Sequence, residues 1–228
     1  MPLPVMQTLF CDAGAQILLA RGIDGLTVSA VAAHTGIGAS RVTRVYGSRF
    51  ELAAAIYRRG HSRIAAVCAR DPRPGEPPAA ALIDLVFDLV DGADTDPAVQ
   101  VMPLLETADF AASTGLASIY RLWHHRFLEL LSADAARAHI RRGDTEHDYR
   151  HVQEIADVLV DALAGFSALH RAPIKLLDRL HHTSVLLTGI IAAMRPNADD
   201  AEHLRRYAQH VQHTHIASRA ASEQPTPR

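Results

Sequence analysis

The chain has 228 residues, 48% of them hydrophobic and only 5% aromatic, enough for one domain or two small ones with a core of Leu, Val, Ile and Ala. No apolar run reaches the roughly 18 to 20 residues of a membrane span, and the opening MPLPVMQTLF lacks the cationic segment of a secretory leader, so a cytoplasmic protein without a membrane partner is expected. The net charge is −2, and Cys11 and Cys68, without CxxC spacing, exclude a disulfide framework or zinc ribbon and read as buried or idle thiols.

The charge is uneven. Residues 1–63 hold seven arginines against Asp12, Asp24 and Glu51, a net +4, which leaves −6 for the remainder. A basic head on an acidic body suits a protein that meets phosphates at one end, because a polyanion responds to local charge.

Residues 7–21 read as an amphipathic helix with Phe10, Ala13, Gly14, Ile17 and Leu18 inward, closed by Arg21-Gly22. Thr27 is an N-cap type, and Val28, Val31 and Ala32 recur at helical spacing, so a second helix runs to about His34. Gly36 then permits the tight link to a third helix, about Ala39 to Tyr46. That helix carries Ser40, Arg41, Thr43 and Arg44 on the side away from Ile37, Val42 and Val45. Two short helices joined so tightly form a helix-turn-helix, and polar and cationic tips on an exposed helix face are what groove readout requires. Arg41 and Arg44 are the base-edge candidates, since arginine matches the acceptor pair of guanine.

The run from Phe10 to Leu52, with Ala13, Gly22, Thr27, Gly36-Ile37, Val42, Tyr46, Arg49 and Leu52 in order, resembles the DNA-binding domain of the TetR family of transcriptional repressors. The resemblance implies an all-α fold: an N-terminal three-helix helix-turn-helix domain over residues 1–52, a linking helix over 53–70, and a helical ligand-binding and dimerisation domain over 71–220. It implies a homodimer on a palindromic double-stranded DNA operator, contacted through Thr27, Ser40, Arg41, Thr43, Arg44, Tyr46 and Arg49. Thr43 and Arg49 stand at phosphate-contact positions where the family often has Tyr and Lys. Family members usually carry several basic residues ahead of the first helix, whereas here none precedes Arg21. That departure predicts weaker, more dimer-dependent DNA binding.

The helix from Glu51 to about Ala69 ends at DPRPGEPP, residues 71–78, where four prolines and a glycine cannot continue it. Helical periodicity returns from Ala79 to about Asp91, and Asp94 to Asp96 can cap a helix from Pro97 to about Phe110. Within Ser118 to Leu131, Tyr120, Trp123 and Phe127 share one helix face. Such a stripe is the ordinary sign of a core. The order Asp96-Pro97, Gln100, Leu105-Glu106, Tyr120 with Trp123, the segment Val152 to Phe166 and Leu177-Asp178-Arg179 is nevertheless similar to the γ-butyrolactone receptor branch of the family, in which a Trp at the place of Trp123 lines the pocket for a lactone or furan signal. The resemblance therefore implies an effector site of Met102, Leu105, Glu106, Phe110, Tyr120, Trp123, Phe166 and Leu169. Apolar walls with an indole N–H, a phenol and one carboxylate acceptor suit a small, neutral, partly apolar effector, because Glu106 would repel an acid.

Residues 132–150 read as a helix end, a break at Gly143 and a loop. Val152 to His170 and Ile174 to Met194 are apolar on more than one face, with Gly165 and Gly189 allowing close approach; the second buried face is most simply a partner subunit. One more helix, about Asp199 to Ser218, precedes a tail, 221–228, whose composition predicts disorder. The fourteen histidines show no ligand spacing completed by Cys or paired carboxylates, and no phosphate loop, nucleophile elbow or HExxH is present. No metal, no cofactor and no enzyme activity are expected. The sequence thus points to a ligand-released repressor; the alternative is a dimeric small-molecule-binding protein of the same fold with weakened or lost DNA readout.

Overall fold

The computed structural model describes residues 2–107, 110–142, 148–168, 176–194 and 198–222, and every regular element among them is an α-helix. In chain order these are α1 (Leu3–Gly25), α2 (Val28–Thr35), α3 (Ala39–Tyr46), α4 (Arg49–Cys68), α5 (Pro78–Thr95), α6 (Pro97–Gln100), α7 (Met102–Thr107), α8 (Phe110–Thr114), α9 (Ile119–Arg142), α10 (Asp148–Ala168), α11 (Leu176–Met194) and α12 (Ala198–Ser222). They form two compact units: Met1–Ala66 with Gly92–Leu122, and Val67–Asp91 with Trp123–Arg228. The first unit thus takes in residues 53–66 and 92–122 as well as the expected 1–52 head.

In the first unit α1 buries Phe10, Ala13, Ile17 and Leu18, as its periodicity predicts. A Cβ on Gly14 would lie 2.7 Å from Ile56 Cδ1, so Ile56 of α4 packs directly on the backbone of α1 and would have to shift for any side chain there. Gly22 leaves helical geometry at φ +70°, and the residues after it make a separate turn. By length and composition α1 could cross a bilayer, contrary to the expectation from sequence, but its inward face is part of this protein core. The next two helices begin and end as their signals require: Thr27 Oγ1 accepts the Ala30 N–H at 3.0 Å, and Gly36 takes the left-handed conformation at φ +69°. Arg59 of α4 pairs with Asp12 at 2.9 Å and donates to the Thr8 carbonyl, and Arg63 pairs with Asp96 at 2.7 Å.

The single helix expected from Pro97 to Phe110 is interrupted at Val101, which separates α6 from α7, and residues 108–109 of that span lie outside those described. Asp96 caps the first piece, its carboxylate accepting the Ala98 N–H at 2.9 Å. Pro103 then supplies no N–H to an ongoing helix, and the break falls at Val101, just before it.

In the second unit α5 is buried at nearly every position from Pro78 to Val90, Asp84 and Asp88 excepted, as befits a helix with no polar face. Also buried in this unit are Phe127 and Leu131 of α9, Ala156 and Leu159 of α10, Leu180 and Leu187 of α11, and Leu204 and Ala208 of α12. Helix α9 runs to Arg142, immediately before the break expected at Gly143, through the stretch ADAARA, which is rich in alanine. Residues 143–147 of the expected loop are outside the described residues. Helix α12 reaches Ser222, so Ala221 and Ser222 belong to it, and the remainder of the expected tail, 223–228, is outside the described residues. A Cβ on Gly165 or Gly189 would meet nothing within 4 Å, so neither glycine serves a close approach among the described residues of this chain. Both cysteines are buried, which raises the Cys11 thiol and pushes Cys68 up to about 11.

Helix α12 is latched to α5 by polar contacts. The Tyr207 phenol donates to the Asp84 carboxylate at 3.0 Å, and Arg219 Nε donates to Asp91 at 2.7 Å. Between them His215 stacks on Phe87 and lies 3.6 Å from Asp91 and 3.8 Å from Asp88. The Asp91 carboxylate beside it raises the His215 pKa against the effect of burial, and the same pairing, helped by Arg219, lowers that of Asp91. The raised His215 stabilises the fold below its ordinary pKa of about 6.5, and this contribution disappears as pH rises through the higher folded value. The depressed Asp91 contributes above the ordinary carboxylate value and is lost as pH falls through its lower folded one. Urea unfolding followed from pH 6 to 8 should therefore show wild type losing on the order of 1 kcal/mol relative to His215→Gln; parallel curves for the two proteins would refute the latch.

Candidate functional site

An exposed reading face needs a helix whose opposite side is fixed. In α3, Val42 is fully buried and Tyr46 is 8% exposed, while Ser40, Arg41, Thr43 and Arg44 point to solvent, as their spacing predicts. Thr27 and Arg49 are exposed at the starts of the flanking helices. Among the described residues no carboxylate pairs with Arg41, Arg44 or Arg49, in contrast to Arg59 and Arg63. Three guanidinium groups without a carboxylate partner around one short helix keep their donors available to an anion.

Tyr46, expected to contact DNA, instead faces inward. Its phenol donates to the Gln7 carbonyl at 2.9 Å, and the Cys11 thiol lies 3.1 Å from the phenol oxygen, which leaves the thiol as the donor of that pair. Phe10 meets its ring edge-on at a centroid distance of 6.4 Å. Burial, then the contact with Cys11, pushes the Tyr46 pKa upward, so this phenol stays neutral. The aromatic end of α3 is therefore an anchor on α1.

Of the expected effector residues, Met102, Leu105, Glu106, Phe110 and Tyr120 belong to the first unit. Met102 and Leu105 are fully buried, and Met102 packs where a Cβ on Gly60 would come within 2.5 Å of its Sδ. Phe110 stacks on Phe50 with centroids 5.0 Å apart. Glu106 Oε1 accepts the Tyr57 phenol at 2.8 Å and the Ile119 backbone N–H at 2.9 Å. Tyr120 is half-buried, and burial, with the nearby Glu106 charge, raises its pKa. Trp123 is 5% exposed and lies in the second unit. The Phe166 side chain and all of Leu169 are outside the described residues.

None of these residues lines the polar cleft of about 370 Å³ found in the second unit. That cleft is walled by Arg70, Arg73, Asp84, Asp88, Arg126 and Tyr207, over Leu85 and Val211. Sequence reasoning had no access to it, because its walls come from segments of the chain far apart. Its arginines are already engaged: Arg70 with Asp88, Arg126 with Glu129 and Arg73 with Glu76 and Asp84.

No protein-family model and no curated protein matches the chain. Solved structures do. A γ-butyrolactone receptor described as an ArpA-like protein superposes with a TM-score of 0.73 at 18% identity, covering 94% of this chain and 100% of its own. The TetR-family protein CprB from Streptomyces coelicolor superposes at 0.64 with 20% identity, covering 90% of this chain and 96% of its own. CprB in complex with its biological operator sequence gives 0.68 at 18% identity, covering 94% and 100%. Identities this low establish the fold: the chain has the all-α fold of the TetR-family regulators.

If Tyr46 anchors rather than reads, Tyr46→Phe should lower stability by about 1 kcal/mol, the net worth of one hydrogen bond, in urea unfolding. Its affinity for random-sequence duplex, measured below the unfolding range, should stay within twofold of wild type. Unchanged stability with a clear loss of DNA affinity would return Tyr46 to the reading face.

Proposed function

We propose that this chain, which carries the fold of the TetR-family regulators, is a transcriptional repressor that binds a palindromic operator as a homodimer and is released by a small effector. The observation that carries the reading is the exposed, unpaired set Arg41, Arg44 and Arg49, held on and beside a helix whose other side is buried. In it Arg41 and Arg44 read base edges, while Thr27, Ser40, Thr43 and Arg49 set the register through phosphates. Residues 1–52 act as the reading head, 53–70 as the linking helix and 71–220 as the effector and dimer region. Support for the dimer comes from α10 and α11, where Val158 and Val185 are about half exposed and Gly165 and Gly189 face open space. The two half-sites of an operator call for the same symmetry.

The effector is a neutral, partly apolar lactone, butenolide or furan, taken up near Leu105 and Tyr120. The structural likeness to γ-butyrolactone receptors supports this class. Release requires the effector to bind the two arrangements of the dimer with different affinity. A second reading, a dimeric binding protein without DNA readout, is favoured by Thr43, whose short hydroxyl reaches less far than the family's usual tyrosine.

Gel shifts with the DNA upstream of its own and neighbouring genes, followed by footprinting, test the first reading. Each of Arg41→Ala and Arg44→Ala should weaken operator binding by about 1 to 3 kcal/mol and random duplex far less. Equal losses on both would demote the pair to phosphate contacts, and no specific shift on any fragment would favour the second reading. For the effector, Trp123 is the only tryptophan, so titration with butyrolactones, butenolides and alkylfurans should change emission saturably; no change with any of them would remove this effector class.

A further inference from the structure

A half-buried carboxylate that already holds two donors is poorly placed to serve mainly as a ligand acceptor. Glu106 is in that position. It sits on α7, and its one oxygen, Oε1, accepts from Tyr57 in the middle of α4 and from Ile119, the first residue of α9. The Ile119 N–H is among those a helix leaves without an internal acceptor, and an anion there also meets the positive end of the helix dipole. The phenol is fixed: Tyr57 is fully buried, and burial with the bond to Glu106 raises its pKa, so it remains a donor.

The surroundings leave this joint little play. One turn beyond Tyr57, a Cβ on Gly60 would come within 2.4 Å of the Ala98 carbonyl oxygen, so α4 and the segment before α7 are in backbone contact. One turn before the end of that segment, Asp96 holds Arg63 of α4. At the other end of α4, Phe50 stacks on Phe110 immediately beside Arg49. Movement of the first turn of α9 therefore either drags Glu106 and Tyr57 with it or strips a buried phenol of its acceptor, and the second course is the costlier.

We infer that Glu106 is a positioning residue: through a single carboxylate oxygen it ties the first turn of α9 to α4, so that a shift of α9 is passed to the helix that follows the reading helix and presents Arg49. This rests on the repressor reading for its purpose, though the tie itself does not. Glu106→Gln keeps an oxygen for both donors and retains the tie; Tyr57→Phe and Glu106→Ala lose it.

Amide hydrogen exchange on the full chain, free and saturated with the footprinted operator, decides the matter. Without DNA, Glu106→Ala should speed exchange roughly tenfold, the equivalent of one hydrogen bond, at Ile119–Leu122 and together with it at Leu52–Gly60. A rise confined to α9 would reduce Glu106 to a helix cap. With DNA, wild type and Glu106→Gln should show slower exchange at Ile119–Leu122, while Tyr57→Phe binds the same operator without that slowing. Wild-type slowing preserved in Tyr57→Phe, or none in wild type when operator is bound, would overturn the inference. Should wild type bind no operator while the DNA-free pattern appears, the repressor reading fails and the tie stands.

Discussion

An eight-residue helix is not stable by itself, so the exposed cationic face of α3 exists only through the burial of its other side. Val42 and Tyr46 supply that burial, and the phenol of Tyr46 adds a directional bond to the backbone of α1. The anchor explains why α1, which presents no reading residue, must pack so closely: Gly14 lets α4 approach, and Arg59 returns from α4 to Asp12 and Thr8. Three helices thus lock one another, and the exposed side of α3 is left free to carry charge.

The charge itself is distributed less simply than composition suggests. The net +4 of residues 1–63 includes Arg59 and Arg63, and both are spent on carboxylates within the first unit. Asp96 lies outside the basic head in sequence but inside the unit in space. Of the other five arginines, Arg21 and Arg58 are also exposed, and Arg41, Arg44 and Arg49 gather on and beside α3 as a localised cationic surface. Local charge governs attraction to DNA, and three arginines without carboxylate partners count for more than a larger number neutralised in place.

The elements most legible in the sequence are those settled by nearest neighbours. Thr27 capping Ala30, the left-handed turn at Gly36 and the alternation of Val42 with Arg41 and Arg44 are local facts, and the structure repeats them. Pro103 was equally visible, yet the weight of helical periodicity on either side hid its effect; the missing N–H prevailed, and α6 ends just before it. Tyr46 was misread for a different reason. A residue at the end of an exposed helix lies near the boundary of the two faces, and only the position of Gln7 and Cys11 shows that its phenol has partners inside. The cleft walled by Arg70, Asp84 and Tyr207 was out of reach altogether, since nothing local links those three residues.

The same limit applies to the effector region, and there it changes the physical picture. Apolar residues at helical spacing satisfy a core and a pocket equally well, so periodicity cannot separate Met102, Leu105 and Phe110 as pocket lining from the same residues as support for α4. Their contacts favour support: Met102 fills the space opposite Gly60, Phe110 carries Phe50, and Glu106 holds Tyr57. Lining and support are compatible if the effector acts by loosening a grip. A molecule that inserts among residues bracing α4 binds the loosened arrangement better than the braced one by construction, because it needs the space those contacts occupy. That difference in affinity is the quantity the proposed release requires, and under that proposal it needs no residue that touches both effector and DNA.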